Sequence, residues 1–302
     1  GAACSSLEFP GRGRERFPVT IGSAMPKKNL VWLASFPKSG NTWTRVFLAN
    51  YLLNRETPMP INEVHRLGMG DSVPAAYAKI SAPVPFDPTS LEQSLALRPR
   101  MLAAIAANGA DVNFVKTHNA NERAFGQALV PKAMTKSAVY IVRHPLDVAC
   151  SYARHYGMTV EKAVQAMNRP DNIVLGDPGN VPQYLGSWAG HVRSWTRHRD
   201  FPVLLLRYED MIEDPETAFG RLLTHIGVPP DAERLTRAIG FSSFDEVARQ
   251  EREGGFVEKS QHGERFFHSG GSGKWRDQVP DAVAAQFAEE NAKAMKARGY
   301  TL

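Results

Sequence analysis

The sequence is poor in the features that mark secreted and membrane-spanning proteins. Its 302 residues include only two cysteines, Cys4 and Cys150, which cannot form a disulfide framework and do not cluster with histidines at metal-ligand spacing. No apolar run approaches the roughly 18 to 20 residues that a membrane-spanning helix needs, and no signal-peptide pattern is present. These absences predict a soluble, cytoplasmic protein with no membrane span, in a reducing compartment.

The composition also lacks the bias of disordered, collagen-like or nucleic-acid-binding chains. Glycine and proline number 24 and 21, while hydrophobic and charged residues make up 43% and 22%, so the chain can bury a sizeable core. The formal net charge is +5, but no run of lysine and arginine resembles a nucleic-acid-binding arm. This charge better fits a pocket for a small anionic ligand, and no nucleic-acid partner is expected.

The first 24 residues show no hydrophobic periodicity and end in Gly-Ser-Ala just before Met25. Such a segment is typical of an expression leader or a disordered tail, so residues 1–24 carry no weight in the fold prediction. Residues 25–302 are expected to form one domain.

From Leu30 onward, short apolar runs alternate with longer amphipathic segments. This alternation predicts a single α/β domain in which helices flank a central parallel sheet. Strands are predicted at 30–35, 113–116, 138–142 and 203–207, and helices at 42–53, 145–156, 184–197, 218–226, 231–238 and 280–297. Residues 54–90 and 157–183 break the pattern, and long irregular stretches of this kind are typical of functional loops.

The strongest chemical signal is VWLASFPKSGNTWTRVFL, residues 31–48, in which a buried strand runs through a tight loop into a helix. Gly40 lets the backbone approach a ligand, Lys38 adds a positive charge, and the unpaired amides of a helix N-terminus favour anions. The loop therefore predicts an anion cradle, with a plain turn capped by Ser39 or Asn41 as the alternative. It is not a Walker A motif, which requires a glycine before the lysine, so ATP is disfavoured.

The segment PKSGNTW resembles the 5′-phosphosulfate loop of the cytosolic-type sulfotransferase family, whose pattern is Pro-Lys-Ser-Gly-Thr-Thr-Trp. The resemblance implies a sulfotransferase fold related to P-loop kinases, with 3′-phosphoadenosine 5′-phosphosulfate (PAPS) as donor and 3′-phosphoadenosine 5′-phosphate (PAP) as product. It further implies that the 5′ end of the donor is held by Lys38, Ser39, Gly40, Asn41 and Thr42. Trp43 would flank the adenine or serve as an ordinary core residue.

VKTHN, residues 115–119, follows a strand and resembles the family's Lys-Thr-His segment, whose histidine is the catalytic base. His118 is therefore the candidate base, because ligands bind where the strands of an α/β sheet end. A satisfied structural histidine is the alternative. Lys116 lies two residues earlier on the same face of an extended chain, so it could share the charge of the transferred sulfuryl group.

IVRHPLDVACSY, residues 141–152, ends a strand at Arg143 and begins a helix at Pro145. Arginine, a helix N-terminus and the hydroxyl of Ser151 together suit a phosphate, and the family builds its 3′-phosphate site in this way. The resemblance therefore assigns the 3′-phosphate to Arg143 and Ser151, against the alternative of a purely structural turn. Asp147 is interpreted as a helix-dipole residue.

Two further segments resemble family elements. LLLRYEDMIEDP and FSSFDEV would place Tyr208, Ser242 and Phe244 beside the adenine and the 3′-phosphate, although structural roles are equally open.

SGGSGKWRD, residues 269–277, matches the family's glycine-rich segment at Gly270 and Gly273, which would form an amide nest for the 3′-phosphate. His268 and Ser269 replace the family's Arg-Lys pair, a loss for which Arg265 or Lys274 could compensate.

The combined motifs predict in-line transfer of a sulfuryl group to a hydroxyl of a small-molecule or carbohydrate acceptor. Lys38 would stabilise the leaving oxygen and His118 would accept the hydroxyl proton. No metal is expected to be required, because a sulfuryl group carries less charge than a terminal phosphoryl group. The alternatives are a nucleotide or nucleoside kinase and a non-catalytic nucleotide- or nucleic-acid-binding module.

Overall fold

The structure, a computed structural model, describes residues 27–197, 200–268 and 270–302. Its centre is a five-stranded parallel sheet in the order β2-β3-β1-β6-β9. These strands are β1 (Leu30–Ser35), β2 (Gly68–Gly70), β3 (Asn113–Thr117), β6 (Thr135–Val142) and β9 (Val203–Arg207). Two small antiparallel pairs lie apart from it: β4 (Arg123–Ala124) with β5 (Gln127–Ala128), and β7 (Ile173–Val174) with β8 (Gln183–Tyr184).

Eleven α-helices occur in the described part of the chain. They are α1 (Asn41–Leu53), α2 (Pro74–Ser81), α3 (Leu91–Ala106), α4 (Pro145–Tyr156), α5 (Val160–Asn168), α6 (Trp188–Thr196), α7 (Tyr208–Glu213), α8 (Pro215–His225), α9 (Ala232–Phe241), α10 (Phe244–Gly254) and α11 (Asp281–Lys296). Two 3₁₀-helices span Ile61–Arg66 and Lys274–Asp277. None of the helices in the described ranges is both long and apolar enough to span a lipid bilayer.

Strand β1 is the middle of the sheet, and all six of its residues are buried. Its side chains alternate between two core layers, as the pleat of a strand requires. Trp32 joins the layer that contains Trp188 and Phe287, whereas Leu33 joins the layer that contains Phe47 and Phe219. Burial on both faces confirms the predicted α/β domain with a helix-flanked parallel sheet.

The two stretches predicted to be irregular contain regular elements. Residues 54–90 include β2 and α2, and residues 157–183 include α5. The prediction missed α2 because proline is typical of irregular segments. Pro74 instead occupies the first helical turn, where its missing N–H costs no hydrogen bond. Helix α3, which the pattern did not predict, contains Pro99 inside the helix.

The helix predicted at 184–197 begins later, at Trp188, because the Ser187 hydroxyl accepts the Gly190 N–H as an N-cap. The predicted leader, residues 1–24, lies outside the described residues.

Candidate active site

The candidate site lies where β1, β3 and β6 end, three adjacent strands of the sheet. The predicted cradle follows β1, the Lys116–His118 segment ends β3, and Arg143 follows β6. Because parallel strands end at the same edge of a sheet, the topology gathers three distant motifs into one crevice.

The cradle loop has a tightly constrained backbone. Lys38 and Gly40 have positive φ angles of 69° and 104°, a conformation that is costly for the non-glycine Lys38. A Cβ atom on Gly40 would lie 2.6 Å from Cδ2 of Tyr208, so only glycine fits between loop and ring. Ser39 is buried, and its Oγ has no hydrogen-bond partner within the protein. The loop thus presents an unsatisfied polar atom where the sequence predicts an anion.

The side chains of the first residues of α1 bond to, or pack against, other groups of the protein. The Asn41 amide donates to the carbonyl of Leu33 at 2.9 Å, so its side-chain donor is already engaged. Thr42 Oγ1 donates to Glu258 at 3.1 Å. Trp43 packs edge-on against the rings of Tyr208 and Phe219, and its indole N–H has no partner.

Lys38 is the central cation of the cradle. Its ammonium nitrogen lies 3.8 Å from the centroid of the Phe266 ring, a cation–π contact. Burial lowers the pKa of Lys38 to about 8, with Arg143 and Arg154 also lowering it and Glu258 opposing the shift. A lysine with this pKa is largely charged at neutral pH.

The hydrogen bonds of His118 define which of its two ring nitrogens carries the proton. Its Nδ1 lies 2.8 Å from the backbone carbonyl of Ser35. Since a carbonyl oxygen only accepts, Nδ1 carries the proton and Nε2 keeps its lone pair. Burial and the nearby Lys116 hold the pKa of His118 well below its usual value, so the ring is neutral at pH 7. A neutral imidazole with a lone pair on Nε2 is the form that a general base requires.

The backbone at His118 is held by a second histidine. His191, on α6, donates from Nε2 to the carbonyl of His118 at 3.0 Å, and its Nδ1 accepts from the Tyr140 hydroxyl at 2.9 Å. Behind them, the buried carboxylate of Asp71 accepts from Thr117, the residue before His118, at 2.6 Å. The candidate base is therefore positioned from both its ring and its backbone.

Arg143 lies beside the cradle and stacks on Tyr208, with its guanidinium carbon 4.3 Å from the ring centroid. Its terminal nitrogens donate to the carbonyls of Gly271 and Lys38, at 3.1 and 3.4 Å. Its buried Nε has no protein partner. Arg143 thus joins the cradle to the glycine-rich segment and keeps one donor unsatisfied.

A cavity of about 200 Å³ opens between the cradle, α4 and the segment after α10. It brings together two predicted site residues, Lys38 and Ser151, and also contains Arg265, one of the two predicted compensating cations. Lys274 is not among its lining residues. The full lining is Lys38, Ser151, Arg154, His155, Ser260, His262, Gly263, Glu264, Arg265, Phe266 and His268. Ser269 lies outside the described residues.

The glycine-rich segment differs in detail from the expected amide nest. The amide of Gly273 donates to Asp147 at 2.7 Å, so it is already satisfied. Asp147 also accepts from the amide of Trp275. It therefore holds the glycine-rich segment in place, in addition to lying in the first turn of α4 as an acidic residue. Gly270 lies against the Phe244 ring, where a Cβ would come within 2.9 Å of Cδ2.

Ser242 is fully buried, and its hydroxyl donates to the carbonyl of Ala238 at the end of α9. The Ser242 hydroxyl therefore bonds a carbonyl at the end of α9, which is the structural role that the sequence left open.

Four residues that lie near the site were not predicted from the sequence. Arg154 lies one helical turn after Ser151, so helical spacing alone could have identified it. Arg45 lies four residues after Asn41 on α1, and His155 four residues after Ser151 on α4, so helical spacing could have identified these two as well. Glu258 follows no motif, because its proximity depends on the path of the chain after α10. Among the described residues, no cluster of three or more His, Cys, Asp or Glu side chains could hold a metal ion.

Known proteins match this chain over most of its length. The family model for the sulfotransferase domain matches residues 28–299. Sulfotransferase 1A1 of Bos taurus is 29% identical over 247 residues, covering 77% of this chain and 70% of the bovine protein. Sulfotransferase 1A1 of Canis lupus familiaris is 26% identical over 278 residues, with coverages of 89% and 84%.

Two solved structures share the fold at low sequence identity. Retinol dehydratase in complex with androsterone and inactive cofactor PAP has a TM-score of 0.61 at 19% identity, covering 90% of this chain and 82% of its own. Mouse sulfotransferase SULT7A1 complexed with PAP has a TM-score of 0.57 at 19% identity, with coverages of 89% and 85%.

Proposed function

Because the chain belongs to the sulfotransferase domain family and is a sulfotransferase, we propose that it transfers a sulfuryl group from PAPS to a hydroxyl of a small-molecule or carbohydrate acceptor, with His118 as base. The family and fold suggested by the sequence motifs are thereby confirmed. Membership also favours transfer over the kinase and the non-catalytic binding module.

The residues present fit the donor. Three buried polar atoms around the cradle have no partner within the protein: Ser39 Oγ, Trp43 Nε1 and Arg143 Nε. Buried polar atoms without partners are costly, so a ligand that satisfies them would be stabilised. The lining of the adjoining cavity carries three cations, Lys38, Arg154 and Arg265, against one carboxylate, Glu264, and this excess of positive charge suits phosphate and sulfate groups. Similar folds have been solved with PAP, which supports the same nucleotide here.

We assign the 5′ end of the donor to residues 38–42 and the 3′-phosphate to Arg143 and Ser151, assisted by Arg154 and Arg265. The arginines on the cavity wall offer a replacement for the Arg-Lys pair that the chain lacks. When bound, the donor supplies the sulfuryl group and a phosphate oxygen as leaving group.

Proton removal from the acceptor is assigned to His118. The observation that carries this role is the Nδ1–H hydrogen bond to the Ser35 carbonyl, because it leaves the Nε2 lone pair available. The lowered pKa of the ring keeps that lone pair unprotonated at neutral pH. Glu258 is a poorer candidate, since Arg45 lowers its pKa to about 2 despite burial.

Lys38 and Lys116 are assigned to charge stabilisation. Lys38 lies in the cradle loop and Lys116 lies on β3, two residues before His118, and both can place positive charge where negative charge develops during transfer. The crevice excludes much of the solvent around them, which strengthens such interactions.

The acceptor is proposed to be a small molecule or a carbohydrate. The bound androsterone of one structural neighbour, and the retinol bound in another solved structure of retinol dehydratase, support a small hydroxyl-bearing compound. Residues 54–90 and 157–183 are expected to shape its pocket.

The decisive experiment follows sulfuryl transfer from PAPS to a panel of hydroxyl acceptors by mass spectrometry, with His118→Ala and the exposed His65→Ala as matched variants. We expect His118→Ala to lower turnover by roughly two to four powers of ten, while its affinity for PAP stays near wild type. The wild-type acid limb should lie below pH 6.5, because the base is inactive only when protonated. Wild-type turnover in His118→Ala, measured where chemistry limits the rate, would assign the base elsewhere.

A further inference from the structure

Asp71 lies directly after β2, beside the end of β3 that carries the candidate base. Its backbone N–H donates to the carbonyl of Lys116 at 3.0 Å. Its Oδ2 atom accepts from the Thr117 hydroxyl at 2.6 Å and from the side-chain amide of Asn119 at 3.0 Å. One residue therefore bonds the chain on both sides of His118.

The two residues that flank His118 are also bound to each other and to a third segment. The backbone N–H of Asn119 donates to the Thr117 hydroxyl oxygen at 3.0 Å, so this hydroxyl accepts one hydrogen bond and donates another to Asp71. The side-chain oxygen of Asn119 accepts from the N–H of Tyr184 at 2.8 Å. Both side chains thus bond as donor and as acceptor, and a satisfied network of this kind makes the backbone around it rigid.

The carboxylate of Asp71 is buried and paired with Arg98 of α3. Oδ2 accepts from Nη2 of Arg98 at 2.6 Å, and the two side chains are 0% and 3% exposed. Arg98 is itself fixed by the carbonyl of Leu129, which accepts from Nε at 2.9 Å and from Nη2 at 2.7 Å. The ion pair therefore holds the carboxylate at one place in the core, next to the end of β3.

Stability alone does not account for this buried pair. Asp71 Oδ1 is buried and has no hydrogen-bond partner within the protein, which costs free energy. Apolar residues of similar volume in place of a buried ion pair often leave the stability unchanged or raise it. What a carboxylate supplies, and an apolar side chain cannot, is an acceptor that bonds Thr117 and Asn119 at the same time.

We propose that Asp71 is a positioning residue that holds the candidate base, His118, in its reactive orientation. Its bonds to the residues before and after the base fix the backbone from which the imidazole projects. With that backbone fixed, Nδ1 reaches the carbonyl of Ser35 at 2.8 Å and Nε2 keeps its lone pair. This role rests on the proposed function, because it affects turnover only if His118 is the base.

The same contacts connect the base to the two segments expected to shape the acceptor pocket. Asp71 belongs to residues 54–90. The carbonyl of the next residue, Ser72, accepts from the N–H of Val181 at 2.8 Å, and Val181 belongs to residues 157–183. The segments that would meet the acceptor thus also hold the group that would remove its proton.

The test changes the Thr117 hydroxyl, because this change leaves the Asp71–Arg98 pair in place. Thr117→Val removes the hydroxyl, and Thr117→Ser retains it as the conservative variant. Thr135→Val is the matched control, since Thr135 is a buried threonine of β6 whose hydroxyl likewise donates one hydrogen bond and accepts another. All variants are compared at a temperature at which circular dichroism shows each of them to be folded.

The first measurement is ¹⁵N NMR of histidine-labelled protein near neutral pH, which distinguishes protonated from unprotonated ring nitrogens and needs neither donor nor acceptor. The His118 signals are those absent from His118→Ala. In the wild type, Thr117→Ser and Thr135→Val, we expect the ring proton at Nδ1. In Thr117→Val the Ser35 carbonyl is no longer held against the ring, so the proton should be shared between Nδ1 and Nε2.

The second measurement separates turnover from binding. Because a misplacement of about 1 Å can cost about a hundredfold in rate, we expect Thr117→Val to lower kcat about ten- to a hundredfold and Thr117→Ser to stay within about threefold of wild type. Thr135→Val should turn over like the wild type. The affinity for PAP should be unchanged in all three variants, because neither hydroxyl is assigned to the donor.

Asp71→Asn tests the carboxylate itself. It should shift the His118 tautomer as Thr117→Val does. The loss of kcat in the double variant should be smaller than the product of the two single losses, because both changes remove the same hydrogen bond. If Asp71→Asn does not fold, the comparison of Thr117→Val with Thr117→Ser decides the proposal.

A wild-type tautomer in Thr117→Val would overturn the positioning role of Asp71. A loss of kcat in Thr135→Val as large as in Thr117→Val would overturn it too, and so would a shifted tautomer with wild-type kcat where chemistry limits the rate. Absence of any sulfuryl transfer by the wild-type protein would instead refute the proposed function, and the NMR comparison would still decide whether Asp71 orients the ring.

Discussion

Replacement of Gly40 by alanine tests the geometry of the cradle most directly. The new Cβ would meet two obstacles: a φ angle of 104°, and Cδ2 of Tyr208 at 2.6 Å. The backbone strain costs about 1–3 kcal/mol, and forcing a methyl group against a packed ring adds about 1–3 kcal/mol. Tyr208 supports Arg143, so displacement of the ring should also weaken PAP binding.

Gly109→Ala separates these two costs. Gly109 has a similar φ of 86°, but a Cβ there meets nothing within 4 Å, so this variant carries the backbone strain alone. With a urea m-value of roughly 3 kcal/mol per M, the ring contact should lower the unfolding midpoint of Gly40→Ala by about 0.3–1 M beyond that of Gly109→Ala. Equal midpoints and equal PAP affinities in the two variants would refute the close packing of loop and ring.

The remaining predictions concern the nucleotide. PAP should stabilise the fold, by about 2.7 kcal/mol at one hundred times its Kd, whereas ATP and ADP at equal concentration should raise the melting temperature much less; equal shifts from all three would contradict the assignment of the 3′-phosphate. Arg154→Ala and Arg265→Ala should each weaken PAP binding roughly tenfold in calorimetry, because each removes a cation from the cavity wall. Lys274→Ala, outside that wall, should change the affinity little, and a loss as large as in the two arginine variants would shift the phosphate toward the glycine-rich segment.

The sequence predicted the sheet better than its surroundings, for a physical reason. Strands β1 and β9 match their predicted bounds residue for residue, because each is a nearly continuous apolar run, LVWLAS and VLLLR. Strand β2 has one apolar side chain among its three residues, and helix α2 begins at Pro74, which resembles a turn signal. Local pattern therefore predicted the continuous apolar runs and missed elements that lack such a run.

Local pattern likewise predicted some residues of the candidate site and missed others. Lys38, His118 and Arg143 each follow a buried strand, so their convergence follows from the parallel topology. Glu258 reaches the cradle from a segment with neither strand nor helix, and no spacing rule connects it to Arg45, 213 residues earlier. The hydrogen bonds of Asp147 to Gly273 and Trp275 likewise span more than 120 residues. Such contacts depend on tertiary structure that one sequence does not encode in a local pattern.

The hydrogen bond from His118 to the carbonyl of Ser35 has a consequence for mutational scanning. The group that fixes the tautomer belongs to the backbone of the central strand, and every amino acid supplies the same carbonyl. Ser35→Ala deletes a hydroxyl 3.2 Å from Nδ1 but leaves the carbonyl acceptor in place. Tolerance at position 35 in an alanine scan would therefore say little about the orientation of the imidazole. That orientation is fixed by a backbone carbonyl of the sheet, so it persists for as long as the strand and the backbone of His118 are in place.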